Sequence, residues 1–269
     1  MSRICKLGVA VGKKGIGKTY QTTEMMKQYV RGGNGVKPRR VLILDVNDEF
    51  EEFKAMSVKD VEIFSVHPRI EIRRIRPFKD DGKRMTLRDI ADTLYTILDK
   101  YRGGMLLIED INKYISDHLP NDLVGAICTN RHTNTDIIMH FQSIGRITSK
   151  IWQNLNWLRF HKNSDSVERH KNKFPDKIDL FSIVESMVNK RYYDGDSRFF
   201  LYIDVDEEKI HGAYDEELFN YAVDEYCSMN HRQVVKPYIN KRNEKGKKMY
   251  TPQQAIQAAK EVFKKNFFR

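Results

Sequence analysis

The sequence predicts an α/β fold in which a mostly parallel β-sheet is flanked by helices. Short apolar runs of strand length alternate with segments whose apolar residues recur at helical spacing. Pairs of glycines end two of these helical segments. Because strands alternating with helices are joined by right-handed crossovers, they form a parallel sheet with helices on both faces. A chain of 269 residues with 40% hydrophobic content is long and apolar enough to bury such a core.

The first half of the chain gives the clearer part of this pattern. Thr86 and Asp89 form a capping box at the start of one helix, and Gly103 and Gly104 end it. The predicted elements are a strand at 4–11, a helix at 18–30, a strand at 41–45, a β-rich stretch at 61–78, a helix at 87–101 and a strand at 105–110.

The second half continues the alternation and then becomes more polar. The predicted elements are a helix at 121–131, a strand at 136–142, a helix at 151–155, a strand at 157–161, one or two helices at 167–190, a strand at 198–205, a helix at 216–227, a lysine-rich segment at 231–250 and a last helix capped by Thr251. We therefore divide the chain into a core at 1–205, a helical extension at 206–230 and a basic tail at 231–269 that ends in an amphipathic helix.

Positive charge is concentrated in that tail. It holds eleven Lys/Arg and two Asp/Glu, so it carries +9 of the chain's net +10. Lysine-rich tails are often simply solvated, but counterion release favours binding of such clusters to a phosphate backbone. A nucleic-acid partner is therefore expected, with steep salt dependence and little sequence preference.

Other compositional features exclude several classes of protein. No apolar run approaches the ~20 residues of a membrane helix, and no secretory segment precedes the first strand. Cys5, Cys128 and Cys227 are far apart, which indicates reduced thiols. We expect a soluble, cytoplasmic protein without membrane insertion.

The strongest motif is a glycine-rich loop between the first strand and the first helix. It fits G-x-x-x-x-G-K-[ST], and this strand–loop–helix context is the one the motif requires. Its glycines let backbone amides curl around phosphates, Lys18 reaches the β- and γ-phosphates, and Thr19 offers a hydroxyl to Mg²⁺. The sequence therefore predicts that ATP with Mg²⁺ is bound by Gly12, Lys13, Lys14, Gly15, Ile16, Gly17, Lys18, Thr19 and Tyr20.

Two acids follow the apolar run at 105–108. Parallel strands end at one edge of a sheet, so Glu109 and Asp110 are expected beside the glycine-rich loop. We assign Glu109 to Mg²⁺ and Asp110 to polarising the attacking water, with Asp45 as an alternative for Mg²⁺.

Three further polar residues flank the predicted strand at 136–142. Gln142 ends it, where a carboxamide could sense the γ-phosphate or position water. Arg131, before the strand, and Arg146, after it, could each reach the γ-phosphate of a neighbouring subunit.

The order of these motifs resembles the ATPase core of the FtsK/HerA superfamily of DNA-pumping motors, which includes viral genome-packaging ATPases. The resemblance covers about residues 1–205 and is carried by the GKT loop, VLILDVNDEF, GGMLLIED, NRHTNTDIIMHFQ and SIGRITSKIWQNLNWLRF. It implies a RecA-like P-loop NTPase core, a sensor role for Gln142 and a role in trans that Arg131 matches best. The family usually has Asp-Glu where this chain has Glu109-Asp110, which leaves the general base open.

The resemblance also implies an assembly and a substrate. The family forms rings, usually hexameric, that thread double-stranded DNA through a basic pore. A compact chain without a membrane helix resembles a phage or viral packaging motor more than a septal chromosome pump or a filamentous-phage assembly ATPase. A portal or capsid vertex would then be the docking partner.

Two other functions are compatible with the sequence. Lys13 stands where ParA-like partition ATPases carry a second lysine, which would make the protein a dimeric nucleotide switch. Alternatively, the chain is a nucleotide-dependent loading factor or scaffold that docks on nucleic acid through its tail.

Overall fold

The computed structural model of the chain describes residues 4–33, 35–110, 121–129 and 132–268. Within these residues nine strands form one mixed sheet in the order β3-β4-β2-β5-β6-β1-β7-β8-β9. The strands are β1 (Leu7–Val11), β2 (Val41–Leu44), β3 (Lys54–Ala55), β4 (Ile72–Ile75), β5 (Met105–Ile108), β6 (Asp136–Phe141), β7 (Trp157–His161), β8 (Phe200–Asp204) and β9 (Lys209–His211). In this spatial order, all neighbouring strands from β3 across to β7 are parallel. The pairs β7–β8 and β8–β9 are antiparallel. The predicted α/β fold with a mostly parallel sheet is confirmed.

Helices connect most of the strands. They are α1 (Lys18–Arg31), α2 (Val61–Val66), α3 (Leu87–Lys100), α4 (Asn121–Cys128), α5 (Ser149–Asn154), α6 (Ile178–Tyr193), α7 (Glu216–Met229), α8 (His231–Val234), α9 (Lys236–Asn240) and α10 (Pro252–Phe267). The predicted capping box of α3 forms, with Thr86 and Asp89 bonded reciprocally. No helix in the described ranges is long and apolar enough to cross a membrane.

One predicted element is wrong. The β-rich stretch at 61–78 contains strand β4, but its first six residues form helix α2. Val61 and Phe64 are buried three residues apart, while Ile63 and Val66 are exposed, so one helical face packs against the core. β-branched residues favour strands, and here tertiary packing overrides that preference.

The basic tail is folded onto the rest of the chain. Helix α10 contacts α7, α9 and β9, and Ala255, Ala259, Phe263 and Phe267 are buried at helical spacing. Lys264 pairs with Glu216 of α7 at 2.6 Å. The phenylalanines of this helix therefore serve packing, while Lys260 and Lys264 are half-buried and paired with acids of α7 and Lys265 is exposed.

Sheet topology brings the predicted motifs to one edge. Strand β1 lies between β6 and β7, and β5 lies beside β6. The register pairs Val11 with Phe141 and Phe160, and Ile108 with Met139, so these strands end at nearly the same level. Because β8 is antiparallel to β7, it begins at this same edge. The loops that follow β1, β5 and β6, and the loop that precedes β8, therefore meet.

Candidate nucleotide site

The glycine-rich loop is anchored to the strands on both sides of β1. The Gly12 amide donates to the Phe141 carbonyl at 3.1 Å, and the Lys13 amide donates to the Lys162 carbonyl at 2.9 Å. Gly12 and Gly17 have φ of 152° and 89°, a region that side-chain-bearing residues rarely adopt. A Cβ on Gly12 would also stand 2.5 Å from Ile16 Cδ1. The loop therefore requires glycine at these two positions.

Helix α1 opens directly from this loop with its N-terminus uncapped by any side chain. Its first turn contains no acid, so the amides and the positive end of the helix dipole favour an anion. Lys18 Nζ donates to the carbonyls of Gly12 at 2.6 Å and Lys13 at 2.8 Å. Burial lowers the pKa of Lys18, and the nearby Asp110 and Glu109 carboxylates oppose that shift. This arrangement matches the needs of a phosphate group.

A buried arginine on β7 holds the start of α1 against the sheet. Arg159 Nη2 donates to the Lys18 carbonyl at 3.0 Å and also to Thr22 Oγ1. Thr22 Oγ1 and His140 Nε2 lie 2.8 Å apart, and burial lowers the pKa of His140 well below its usual value, which keeps that ring neutral. These contacts fix the first turn of α1 on the sheet. The apolar run WLRFH gave no signal for this role of Arg159.

The two predicted acids lie at the end of β5, in different environments. Glu109 is buried, and burial together with Glu49, Asp110 and Asp45 raises its pKa to about 8. Asp110 adopts φ of 42°, in the left-handed region, which turns the chain out of the strand. This concentration of carboxyl groups would be relieved by a divalent cation.

Two amide side chains hold these acids in place. Asn47 Nδ2 donates to Asp110 Oδ2 at 3.1 Å and to Glu109 Oε2 at 3.4 Å. Gln142 Nε2 lies 3.2 Å from both carboxylate oxygens of Asp110. The structure thus brings Gln142 to Asp110 at the edge where β5 and β6 end, and its predicted part in sensing phosphate or positioning water stays a prediction. Asn47 was not singled out from the sequence, although it lies two residues beyond Asp45 at the same edge.

Asp45 has a different set of contacts from the one a metal ligand needs. Its buried carboxylate accepts hydrogen bonds from the amides of Glu49 at 2.9 Å and Phe50 at 3.1 Å. It also pairs with Arg74 Nη1 at 2.8 Å, and its side chain is fully buried. Asp45 is therefore committed to holding its own loop, and Glu109 remains the better ligand for Mg²⁺.

Replacing Asp45 with asparagine is expected to lower the free energy of unfolding by about 3 kcal/mol, because it leaves the buried Arg74 guanidinium undercompensated. Urea unfolding measures this value. Asp80→Asn, which breaks an exposed pair with Lys59, is the matched control and should change stability little. An Asp45→Asn protein as stable as the native one, but with altered Mg²⁺ dependence, would contradict this assignment.

The loop and the acids enclose a cavity of about 410 Å³. Its lining residues are Lys14, Gly15, Gly17, Lys18, Thr19, Tyr20, Asn47, Glu49, Glu109, Asp110, His140, Gln142 and Arg198. No group of three or more His, Cys, Asp or Glu side chains able to hold a metal occurs among the described residues. Mg²⁺ in ATPase sites typically uses one or two protein ligands completed by phosphates and water, so Thr19 and Glu109 fit that ion.

Arg146 and Lys13 were also predicted, but neither lines the cavity. Arg146 is exposed on a 3₁₀ helix after β6 and does not line the cavity. Arg131 lies outside the described residues. Lys13 points away from the cavity, since its Nζ donates to the Tyr192 hydroxyl at 2.5 Å and stands 4.2 Å from the centroid of that ring.

Comparison with known proteins supports the fold. No protein-family model matches the chain, and no curated protein matches it in sequence. Among solved structures, the genome-packaging NTPase B204 of Sulfolobus turreted icosahedral virus 2 in complex with AMPPCP is 17% identical, with a TM-score of 0.51 over 77% of this chain and 95% of that one. The chain has the fold of a P-loop NTPase. B204, the DNA-packaging ATPase of Sulfolobus turreted icosahedral virus, is 13% identical, with the same TM-score over 78% of this chain and 98% of that one.

In this P-loop NTPase fold the predicted motifs lie at one edge of the same sheet. The resemblance to viral genome-packaging ATPases that the sequence predicted is confirmed at the level of the fold. B204 has also been solved in complex with AMP, ATP-gammaS and sulfate, all of which carry phosphate-like or phosphate groups.

Proposed function

We propose that this protein is an ATP-driven DNA translocase of the viral genome-packaging type. The observation that carries the proposal is the convergence of the P-loop, the Glu109–Asp110 pair and Gln142 on one cavity. An acid pair and a carboxamide beside a phosphate loop are the parts that hydrolysis requires beyond binding. The choice of packaging is supported by the fold shared with B204, which is a genome-packaging NTPase and DNA-packaging ATPase.

In this proposal each side chain has a distinct task. Lys18 binds the β- and γ-phosphates, and the Thr19 hydroxyl and Glu109 hold Mg²⁺, which supplies charge neutralisation on the phosphates. Asp110 accepts a proton from the attacking water. Gln142, already bonded to Asp110, orients that water toward the γ-phosphate.

The remaining parts of the proposal concern the assembly. We assign Arg131 to the γ-phosphate of a neighbouring subunit in a homo-oligomeric ring, most simply a hexamer, with a portal or capsid vertex as the docking partner. These assignments rest on the resemblance to ring-forming DNA motors. A trans-acting arginine would make hydrolysis in one subunit depend on the position of the next.

The contacts of Lys13 favour a motor over a ParA-like switch. A switch of that kind needs this lysine to contact the nucleotide. Here Lys13 instead hydrogen-bonds to the hydroxyl of Tyr192, at the end of α6 in its own chain. A loading factor or scaffold would share the nucleotide site and the nucleic-acid surface. It would differ in hydrolysing ATP at a rate independent of DNA length.

A basic turn, residues 241–248, is the surface best suited to DNA. Asn243 Oδ1 accepts from the amides of Lys245 and Lys247, both at 3.0 Å, and an isolated bridge joins Arg242 to Lys248. All eight residues are exposed, and in the described part of the chain no ion pair involves their basic side chains. An ordered turn that presents unpaired lysines favours the phosphate backbone, without sequence preference.

Replacing Lys245, Lys247 and Lys248 together with glutamine is expected to weaken double-stranded DNA binding and to flatten its salt dependence. Loss of three phosphate contacts should reduce the slope of log K against log salt by about 2.7. Fluorescence anisotropy across a salt series measures both effects. The matched control replaces Lys59, Lys79 and Lys83 with glutamine, which removes the same charge from a surface near α3. If both variants lost DNA affinity equally, the turn would contribute only through the net charge of the protein.

A further inference from the structure

Arg198 lies just before β8, the strand at which the sheet changes from parallel to antiparallel pairing, and at the same edge as the P-loop. Strand β7 ends at His161, which pairs with Phe200 at the start of the antiparallel β8. The residues just before β8 are therefore carried to the edge where the parallel strands end. Since β7 is the neighbour of β1, this loop stands beside the P-loop.

Hydrogen bonds and packing hold the loop at 194–199 in one shape. Asp196 N donates to the Arg191 carbonyl at 3.0 Å, and Phe199 N donates to the Asp196 carbonyl at 3.3 Å. The Arg198 amide donates to Asp196 Oδ1 at 3.3 Å. Phe199 is buried, and its ring centroid lies 5.6 Å from the Arg191 guanidinium carbon. The side chain of Arg198 therefore projects from a loop whose backbone is held in place.

The side chain of Arg198 extends over the start of helix α1. Its Cγ and Cδ atoms lie 4.0 Å from the point where a Cβ on Gly17 would stand. The residue is exposed and lines the cavity that contains Lys18 and Thr19. No carboxylate of the described chain forms an ion pair with it, in contrast with Arg74 and Arg76, which share Asp48.

We propose that Arg198 binds the α- and β-phosphates of the nucleotide held by its own subunit. The inference rests on the proposed function, because it assigns a further residue to the same site. The N-terminus of α1 is where a P-loop holds these phosphates, and guanidinium groups bind phosphate through paired hydrogen bonds. Arg198 is thus a cis-acting group, distinct from Arg131, to which we assign a role in trans.

Nucleotide affinity tests this role without relying on turnover. Arg198→Ala should lower the affinity for ATPγS and for ADP to a similar extent, each about 10-fold or more, because both carry the α- and β-phosphates. Arg198→Lys should recover part of the loss, since it keeps the charge but not the fork. Isothermal titration calorimetry gives both affinities. Arg88→Ala, which removes an exposed arginine of α3, is the control.

Mixed assemblies separate action in cis from action in trans. In a mixture of Arg198→Ala with Lys18→Ala, every subunit carries a damaged site of its own, so ATP turnover should remain as low as in the separate variants. Restored turnover would place Arg198 in a neighbour's site and overturn the proposal. Unchanged affinity for both nucleotides, or a loss confined to ATPγS, would also overturn it.

The failure of this inference can be told apart from the failure of the proposed function. If the native protein binds ATPγS and ADP but Arg198→Ala binds them equally well, only the inference fails. If the native protein binds neither nucleotide, both proposals fail. Thermal melting of Arg198→Ala and Arg198→Lys should match that of the native protein, because the side chain is exposed; a large drop in melting temperature would instead assign Arg198 a structural role.

Discussion

Replacing Lys18 with alanine is expected to reduce ATP turnover by on the order of 10²–10³-fold, the loss typical of a preorganised charge-stabilising donor. Lys18 Nζ is held by the Gly12 and Lys13 carbonyls inside the cavity, so its position is set before phosphate arrives. The variant should also bind ATP more weakly. Steady-state hydrolysis and nucleotide titration measure the two effects.

The control for this prediction lies on the same helix. Lys27 of α1 pairs with Glu24 and Glu52 and does not line the cavity, so Lys27→Ala should keep nearly native turnover. Both variants remove one lysine from α1, and circular dichroism should show native helix content in each. Turnover above a tenth of the native rate in Lys18→Ala would contradict the assignment of the loop as the catalytic phosphate site.

Replacing Asp110 with asparagine is expected to lower kcat by about 10²–10⁴-fold while ATP affinity stays near native, because only proton transfer from water is lost. Asparagine keeps the size of the side chain and can still contact Asn47 and Gln142. Single-turnover hydrolysis, together with titration by ATPγS, separates the chemical step from binding. An unchanged kcat would remove Asp110 from the chemistry.

Glu109→Gln is the matched variant that decides which of the two acids binds Mg²⁺ and which is the general base. If Glu109 holds Mg²⁺, the variant should need a higher Mg²⁺ concentration for half-maximal turnover, and excess Mg²⁺ should recover much of the rate. If Glu109 is instead the general base, no Mg²⁺ concentration will recover it, and the roles of Glu109 and Asp110 are exchanged.

Much of this site could be predicted because its residues are local in sequence. The P-loop motif contains its own glycines, lysine and threonine, and the acids directly follow an apolar run. Gln142 also ends a recognisable strand. Placing these separate segments beside one another needed only the rule that parallel strands end at a common edge.

Residues whose roles depend on sheet order could not be predicted in this way. Arg198 reaches the P-loop because β8 runs antiparallel beside β7, and the strand pattern at 198–205 does not specify direction. Arg159 supports α1 because β7 is the neighbour of β1. The error at α2 has a similar origin, since the helix there is decided by packing of Val61 and Phe64 rather than by local preference.

The most direct test of the translocase proposal is the ATP hydrolysis rate with and without long double-stranded DNA, measured for the native protein, Lys18→Ala, Arg131→Ala and a mixture of these two variants. The proposal predicts DNA-stimulated turnover that is lost in each variant and partly restored in the mixture, because an intact Arg131 then completes an intact P-loop in the adjacent subunit. Turnover that is indifferent to DNA and unimpaired in Arg131→Ala would contradict the translocase and leave an ATPase with another task.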